Sequence, residues 1–323
     1  MRRGMLQMCQ QRRAVPDVAE QPEEKEKNDM GFKPVKIGDR RLDAPIIQGG
    51  MGIGVSRSGL AGAVAREGGM GVISAAQVGY DDPGFRKDPE EANLRALREH
   101  ILRAKELAEG NGMVAVNLMA VTQLYGDYVK VCAEAGADAI ISGAGLPSHL
   151  PKYAEGYDIC LAPIVSSEKS ARVILKTWDR KYQRTADFLI IEGPLAGGHL
   201  GFSQEELENS ASLRYDEEIQ KILALKEEFE EKYKKKIPVF SAGGVFSAED
   251  VRRQIDLGCD GVQVASRFVA TQECDADEGY KQALLHAKPE DITIVQSPVG
   301  MPGRALHSPL IQRVEAGTQP PVD

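Results

Sequence analysis

The segment Phe188-Leu-Ile-Ile-Glu192-Gly193-Pro194-Leu195-Ala196-Gly197-Gly198-His199-Leu200-Gly201 joins an apolar run to a glycine-rich turn that presents one imidazole. A short aliphatic run that ends in glycines is typical of a buried strand and its following loop. Glycine lets the backbone approach a ligand closely, and histidine transfers protons near neutral pH. We therefore predict a buried strand that leads into a functional loop, with His199 as the candidate catalytic residue.

The same strand-and-loop unit recurs along the whole chain from Pro45 onward. Eight apolar runs alternate with longer helical patterns: Pro45–Gln48, Gly71–Ser74, Val114–Leu118, Ala139–Ser142, Ile159–Val165, Phe188–Glu192, Pro238–Ala242 and Gly261–Ala265. Continuous apolar strands belong to parallel sheets covered by helices, and eight such units over about 260 residues match a (β/α)8 TIM barrel. An open doubly wound sheet would also alternate, but the glycine run Gly49–Gly54 is a weak dinucleotide fingerprint without an acidic residue after the next strand. We predict the barrel.

Six longer helices are predicted between these strands. They are Ser58–Glu67, Pro89–Glu109, Leu124–Ala135, Glu168–Trp178, Ser212–Lys235 and Ser247–Leu257. Ser247 and Asp250 fit the capping-box pattern at the start of the last one, and a good N-cap is expected before the first. The segment Lys176–Arg184 is interpreted as an unusually long turn.

Composition narrows the classes of function. The chain has 323 residues, a net charge of -8 and no basic block, so binding to nucleic acid is not expected. No apolar run approaches the roughly 18 residues of a membrane span. The five cysteines are dispersed without zinc-ligand spacing, which indicates reduced thiols, a cytoplasmic location and no metal site.

Two regions are predicted along the chain. Residues 1–30 are rich in Gln, Glu and Lys, lack an apolar signal-peptide core and are interpreted as a disordered N-terminal extension. A transit peptide remains an alternative, because several arginines precede the first acidic residue. Residues 31–323 are expected to form the barrel domain, with a Pro/Gly-rich C-terminal segment that covers the pocket like a lid.

The carboxyl ends of barrel strands share one face, so the residues at those ends can meet one ligand. Ala242, Gly243 and Gly244 after the seventh strand, with Ala265 and Ser266 after the eighth, predict a phosphate site made by backbone N–H groups. Tight turns that need glycine for their own geometry are the alternative explanation.

A planar ring is the second predicted ligand of this face. The turn Gly50, Met51 and Gly52 offers bare backbone, and Asn117 offers an amide that is costly at the end of an apolar strand unless it binds something. The edge of a flavin pyrimidine would suit it. Glu192 is expected to form a hydrogen bond in the pocket, or to be a structural buried acid bonded to neighbouring backbone N–H groups. Glu192 is also predicted to contact the cofactor, together with Gly197, Gly198 and Gly201 of the loop that carries His199.

Seven motifs occur in the order seen in a known family. They are Ile47-Gln-Gly-Gly-Met-Gly, Val114-Ala-Val-Asn-Leu, Ser142-Gly-Ala-Gly-Leu-Pro147, Ala162-Pro-Ile-Val-Ser-Ser167, Glu192-Gly-Pro-Leu-Ala-Gly-Gly-His-Leu-Gly201, Ser241-Ala-Gly-Gly and Gln263-Val-Ala-Ser-Arg-Phe268. In this order the chain resembles the nitronate monooxygenase (2-nitropropane dioxygenase) family over about residues 35–315. It is also similar to the FMN-dependent enoyl-acyl-carrier-protein reductases.

The resemblance implies non-covalently bound FMN and places His199 at the family's catalytic histidine. Asn117 and the Gly50–Met51 turn match flavin-contacting positions, and Gly243, Gly244 and Ser266 match the phosphate cradle. The implied reaction is oxidation of an alkyl nitronate by O₂ to a carbonyl compound and nitrite. An NADH-dependent enoyl reductase and a flavin-free barrel that acts on a phosphorylated metabolite stay open as alternatives. A small-molecule substrate and O₂ are the expected partners, and a homodimer is left open.

Overall fold

An antiparallel hairpin, β1 (Val35–Ile37) and β2 (Arg40–Leu42), opens the folded chain. The computed structural model describes residues 32–210, 213–297 and 300–318, so the predicted extension of residues 1–30 lies outside the described residues. Ile37 and Leu42 are fully buried and pack with the side chains that fill the interior of the following sheet. The hairpin therefore closes the end of that sheet at which its strands begin.

Eight parallel strands then close into a barrel. They are β3 (Ile46–Gln48), β4 (Met70–Ser74), β5 (Met113–Met119), β6 (Ala139–Gly143), β7 (Cys160–Val165), β8 (Leu189–Glu192), β10 (Val239–Ala242) and β11 (Gly261–Val264). Strand β9 (Gly198–His199) lies between β8 and β10 in the chain but outside the barrel. The sheet closes where β11 pairs with β3, with Val264 beside Gln48. The predicted (β/α)8 TIM barrel is confirmed, and each predicted strand end is within one residue of the observed one.

Helices surround the barrel. They are α1 (Ser58–Arg66), α2 (Pro89–Leu107), α3 (Tyr125–Glu134), α4 (Leu150–Tyr153), α5 (Glu168–Tyr182), α6 (Gln204–Glu208), α7 (Tyr215–Tyr233), α8 (Ala248–Asp256), α9 (Ser266–Val269), α10 (Glu278–His286) and α11 (Pro309–Glu315). The capping box of Ser247 and Asp250 at the start of α8 is confirmed, since each side chain accepts the other residue's N–H.

Two details of the helix prediction are wrong. The segment Lys176–Arg184 is mostly helical, because α5 continues to Tyr182: Trp178 is fully buried and its indole N–H donates to the carbonyl of Pro147 at 3.1 Å. No neighbouring side chain caps α1. The carboxylate of Asp275 does so from 216 residues away, and it accepts the N–H of Gly59 at 3.0 Å.

The core has two layers. Phe188 and Phe240 meet edge to face inside the barrel at 5.9 Å between ring centroids, and aliphatic side chains fill the rest of that layer. A larger layer lies between the strands and the helices. Four free cysteines are buried, namely Cys132, Cys160, Cys259 and Cys274, which agrees with the expected unpaired core thiols. Cys9 lies outside the described residues.

A second sheet stands at the carboxyl end of the barrel. Strands β12 (Ile292–Gln296) and β13 (Pro302–Leu306) form an antiparallel hairpin, and β13 also pairs with β9, which carries His199. The C-terminal segment thus contacts the histidine loop directly.

Within the described ranges, no helix combines the length and the apolar character that a membrane crossing requires.

Candidate active site

Gln48 and Gly50 shape the first part of the site, at the end of β3. The buried Gln48 amide accepts the N–H of Val72 at 3.0 Å and so replaces a backbone bond between β3 and β4. Beyond it the chain passes directly over Asn117: a Cβ on Gly50 would lie 2.4 Å from the Asn117 Cβ. Only glycine fits there, and it leaves the peptide backbone open beside the amide.

Asn117 lies in β5 near its carboxyl end and is half-buried. Its backbone carbonyl accepts the N–H of Ala75 at 3.0 Å, but its side-chain amide makes no hydrogen bond within residues 32–210, 213–297 and 300–318. This amide is therefore free to bind a ligand, to which it offers both a donor and an acceptor. Its position fits the recognition of a planar heterocycle.

The loops after β10 and β11 offer unpaired backbone donors. The N–H groups of Gly243, Gly244 and Ser266 have no partner in the described part of the chain, and the hydroxyl of Ser266 is exposed. Gly243 has φ +94, and a Cβ there would lie 2.8 Å from the N of Ala196. Free N–H groups at a strand end suit an anionic oxygen, so the predicted phosphate cradle has the chemistry it requires.

His199 lies in β9, half-buried, above the barrel. Its ring forms no hydrogen bond with any described residue, and burial lowers its pKa below the usual value. The imidazole is therefore neutral at pH 7 and can accept a proton or a hydrogen bond. The loop ends against β7, where the hydroxyl of Ser166 donates to the carbonyl of Gly201 at 3.1 Å.

Glu192 ends β8 next to this loop and pairs in register with Ala242. Its carboxyl has no hydrogen bond or ion pair among the residues described, and burial raises its pKa to about 8. It is therefore mostly protonated at pH 7 and able to donate a hydrogen bond. The hydroxyl of Tyr215 holds the backbone here, because it donates to the carbonyls of Glu192 at 2.8 Å and Ser166 at 3.1 Å.

The strand-end residues predicted from the sequence occupy the same end of the barrel. Gly50 adjoins Asn117, Gly49 approaches Ala265, and the Glu192–Ala242 pair leads to Gly243 and Gly244. Gly197 and Gly198 are exposed, and no described atom lies within 4 Å of a Cβ built on either, although the backbone of Gly198 pairs with Arg304 in β13. The side chain of Met51 packs on a small apolar cluster with Val55 and Leu60. Whether these residues contact a ligand stays a prediction.

Three residues of the site were not among the predicted ones. Tyr215 begins α7, Ser166 follows β7, and Arg304 in β13 donates to the carbonyls of Pro194 and Ala196. Ser166 belongs to a quoted motif and Arg304 to the C-terminal segment that was expected to cover the pocket, but nothing in the sequence indicates that Tyr215 reaches the loop. No group of three or more metal-ligating side chains that could hold an ion occurs in the ranges the structure describes.

A model of the nitronate monooxygenase family matches residues 33–323. The chain belongs to this family. The resemblance drawn from the seven motifs is therefore confirmed. It extends over nearly the whole described barrel and includes the C-terminal hairpin.

Individual relatives are distant. The nitronate monooxygenase of Paraburkholderia phytofirmans is 26% identical over 264 residues, which cover 76% of this chain and 68% of that protein. The (3aS,4S,5R,7aS)-5-hydroxy-7a-methyl-1-oxo-octahydro-1H-indene-4-carboxyl-CoA dehydrogenase of Mycobacterium tuberculosis is 23% identical over 278 residues, 86% of this chain and 67% of that one. FabK from Thermotoga maritima has a similar structure, with a TM-score of 0.62 and 26% identity over 85% of this chain and 75% of its own.

Proposed function

We propose that this protein binds FMN and oxidises alkyl nitronates with O₂, which gives a carbonyl compound and nitrite. The observation that carries the proposal is the set of unpaired polar groups at the carboxyl end of the barrel. An amide, several backbone N–H groups and an imidazole have no partner in the described chain, and together they offer the donors and acceptors that a phosphate and a planar heterocycle require. Membership of the nitronate monooxygenase family supports the reaction.

The residues present fit FMN. The N–H groups of Gly243, Gly244 and Ser266 would hold the phosphate, and the hydroxyl of Ser266 would add a fourth donor. The backbone at Gly50 and the amide of Asn117, which lie directly against each other, would together border the flavin ring. Bound FMN would supply the redox chemistry by taking electrons from the substrate and passing them to O₂.

His199 would act on the substrate. A neutral imidazole can accept the proton of a nitroalkane carbon, and in its protonated form it can bind the oxygens of the resulting nitronate. The lowered pKa of His199 keeps the basic form populated at neutral pH. Glu192, protonated at that pH, would donate a hydrogen bond within the same pocket without adding a negative charge that repels an anionic substrate.

The substitution His199→Asn tests this role. We expect the variant to retain bound flavin and to lose about 100-fold or more in kcat with neutral nitroethane, which must be deprotonated. Ethylnitronate, already deprotonated, should lose less. His286→Asn, an exposed histidine in α10, is the matched control. Turnover of nitroethane by His199→Asn at the wild-type rate would exclude His199 as the base.

An NADH-dependent enoyl-thioester reductase is the second candidate. The similarity to a carboxyl-CoA dehydrogenase favours it, because that relative's name describes a thioester substrate. Anaerobic bleaching of the flavin by NADH, followed by reoxidation with crotonyl-CoA, would support this reaction. Bleaching of the flavin by nitronate alone would favour nitronate oxidation.

A cytoplasmic location and a homodimer stay predictions.

A further inference from the structure

The histidine loop is the third strand of a sheet whose other two strands come from the C-terminal hairpin. Gly303 pairs with His199 and Arg304 with Gly198, so the register places β13 directly against the imidazole-bearing strand. The N–H of Leu200 then donates to the carbonyl of Pro302 at 2.8 Å. The backbone on both sides of His199 is thus held by a segment about a hundred residues further along the chain.

Arg304 holds the turn that precedes this strand. One guanidinium nitrogen, Nη1, donates to the carbonyls of Pro194 and Ala196, each at 2.7 Å. The side chain is half-buried, and burial lowers its pKa; no acidic residue pairs with it in the described chain. A partly desolvated cation without a carboxylate is costly, so two short bonds to one turn indicate a specific role for the guanidinium.

Between the two bonded carbonyls and His199, no described side chain packs on the two glycines of the turn. Gly197 and Gly198 are exposed, no atom lies within 4 Å of a Cβ built on either, and Gly198 has φ +74. Two successive glycines without packing have high conformational entropy in a loop. The direction of the imidazole therefore depends on the contacts on each side of Gly197, which are the Arg304 hydrogen bonds before it and the pairing of Gly198 and His199 with β13 after it.

We propose that Arg304 is a positioning residue that fixes the 194–198 turn and thereby aims His199 at the barrel mouth. The expected effect on catalysis rests on the proposed function, in which His199 is the base. The effect on the loop itself does not, so the two can fail separately. The C-terminal hairpin is, on this inference, a part of the active site and a necessary support of its histidine.

Three variants test the inference by activity. Arg304→Ala should lower kcat for nitroethane by about 100-fold, the size expected when a reacting group moves by about 1 Å, with little change in KM or in bound flavin. Arg304→Lys, which keeps the charge but has a shorter side chain without the planar guanidinium, should fall between Arg304→Ala and wild type. Guanidinium at millimolar concentration should restore at least part of the Arg304→Ala loss, which a misfolded variant would not show. Arg313→Ala, an exposed arginine in α11, is the control and should match wild type.

Two measurements on flavin-free protein test the loop without activity. In Arg304→Ala, hydrogen exchange at the Leu200 amide should be about tenfold faster, and guanidinium should slow it again. The His199 imidazole NMR signal, assigned by its absence in His199→Asn, should broaden or shift. If both variants of Arg304 keep wild-type exchange and a wild-type His199 signal, the inference is overturned. If the loop changes while wild type itself does not turn over nitroalkanes, positioning stands and the proposed function fails.

Discussion

Substitution of Glu192 by Gln should change how the stability of the protein depends on pH. Burial raises the pKa of Glu192 from 4.5 to about 8 in the folded protein. Between these two values the folded state keeps the proton, whereas the unfolded state releases it. The unfolded state then binds fewer protons, so the free energy of unfolding falls as pH rises. Glutamine keeps the shape of the neutral acid but cannot ionise, so Glu192→Gln removes this decrease of the free energy of unfolding with pH.

The expected size follows from the pKa. A group protonated only in the folded state lowers the free energy of unfolding by up to about 1.4 kcal/mol per pH unit. From pH 5.5 to 7.5 this gives about 2–3 kcal/mol, which the partial exposure of Glu192 should reduce to about 1–2 kcal/mol. We therefore expect the difference in the free energy of unfolding between Glu192→Gln and wild type to be about 1–2 kcal/mol more favourable to the variant at pH 7.5 than at pH 5.5.

Urea unfolding of flavin-free protein at the two pH values measures this difference, since bound flavin would add its own pH dependence. Glu205→Gln, an exposed glutamate in α6, is the control. A stability difference between Glu192→Gln and wild type that is the same at pH 5.5 and 7.5 would show that Glu192 is ionised throughout. The assigned hydrogen-bond donor would then be absent.

Four further substitutions test the scaffold of the site. Gly243→Ala forces a side chain into φ +94 and against the Ala196 backbone, so it should cost about 1–3 kcal/mol in thermal melting and weaken FMN binding in a fluorescence titration. Gly197→Ala, where no described atom lies within 4 Å of the added Cβ, should leave the melting temperature unchanged. Asp275→Asn weakens the cap of α1 and should lower stability by about 1–2 kcal/mol in urea unfolding, and an unchanged midpoint would refute the capping role. Tyr215→Phe removes the hydroxyl that links β7 to β8 and should cost about 1 kcal/mol by the same assay, with weaker FMN binding; wild-type values for both would contradict the link.

The barrel was predictable because its signal is local. Each strand is an apolar run buried on both faces, and the residues that end it mark the loop, as Glu192 and the following glycines show. The same reasoning predicted the polar groups at the carboxyl end of the barrel, since the strand ends of a parallel barrel share one face. The apolar runs and the turn residues that end them were therefore enough to predict the barrel and the position of the site.

The supports of the site were not predictable because they depend on contacts distant in sequence. Arg304 reaches a turn 110 residues earlier, and Asp275 caps a helix 216 residues earlier. A two-residue strand such as β9 has no period of its own and exists only because β13 pairs with it. The end of α5 was missed for a related reason: burial of Trp178 against the core continues a helix whose sequence is strongly charged.

The most direct test of the central claim is the visible spectrum of the purified protein, followed by aerobic addition of propyl-2-nitronate. Oxygen consumption and nitrite are recorded together. The account predicts flavin absorption bands and rapid oxygen uptake with release of nitrite. A colourless protein that cannot be reconstituted with FMN, or a flavin-containing protein that consumes no oxygen with the nitronate, would contradict it.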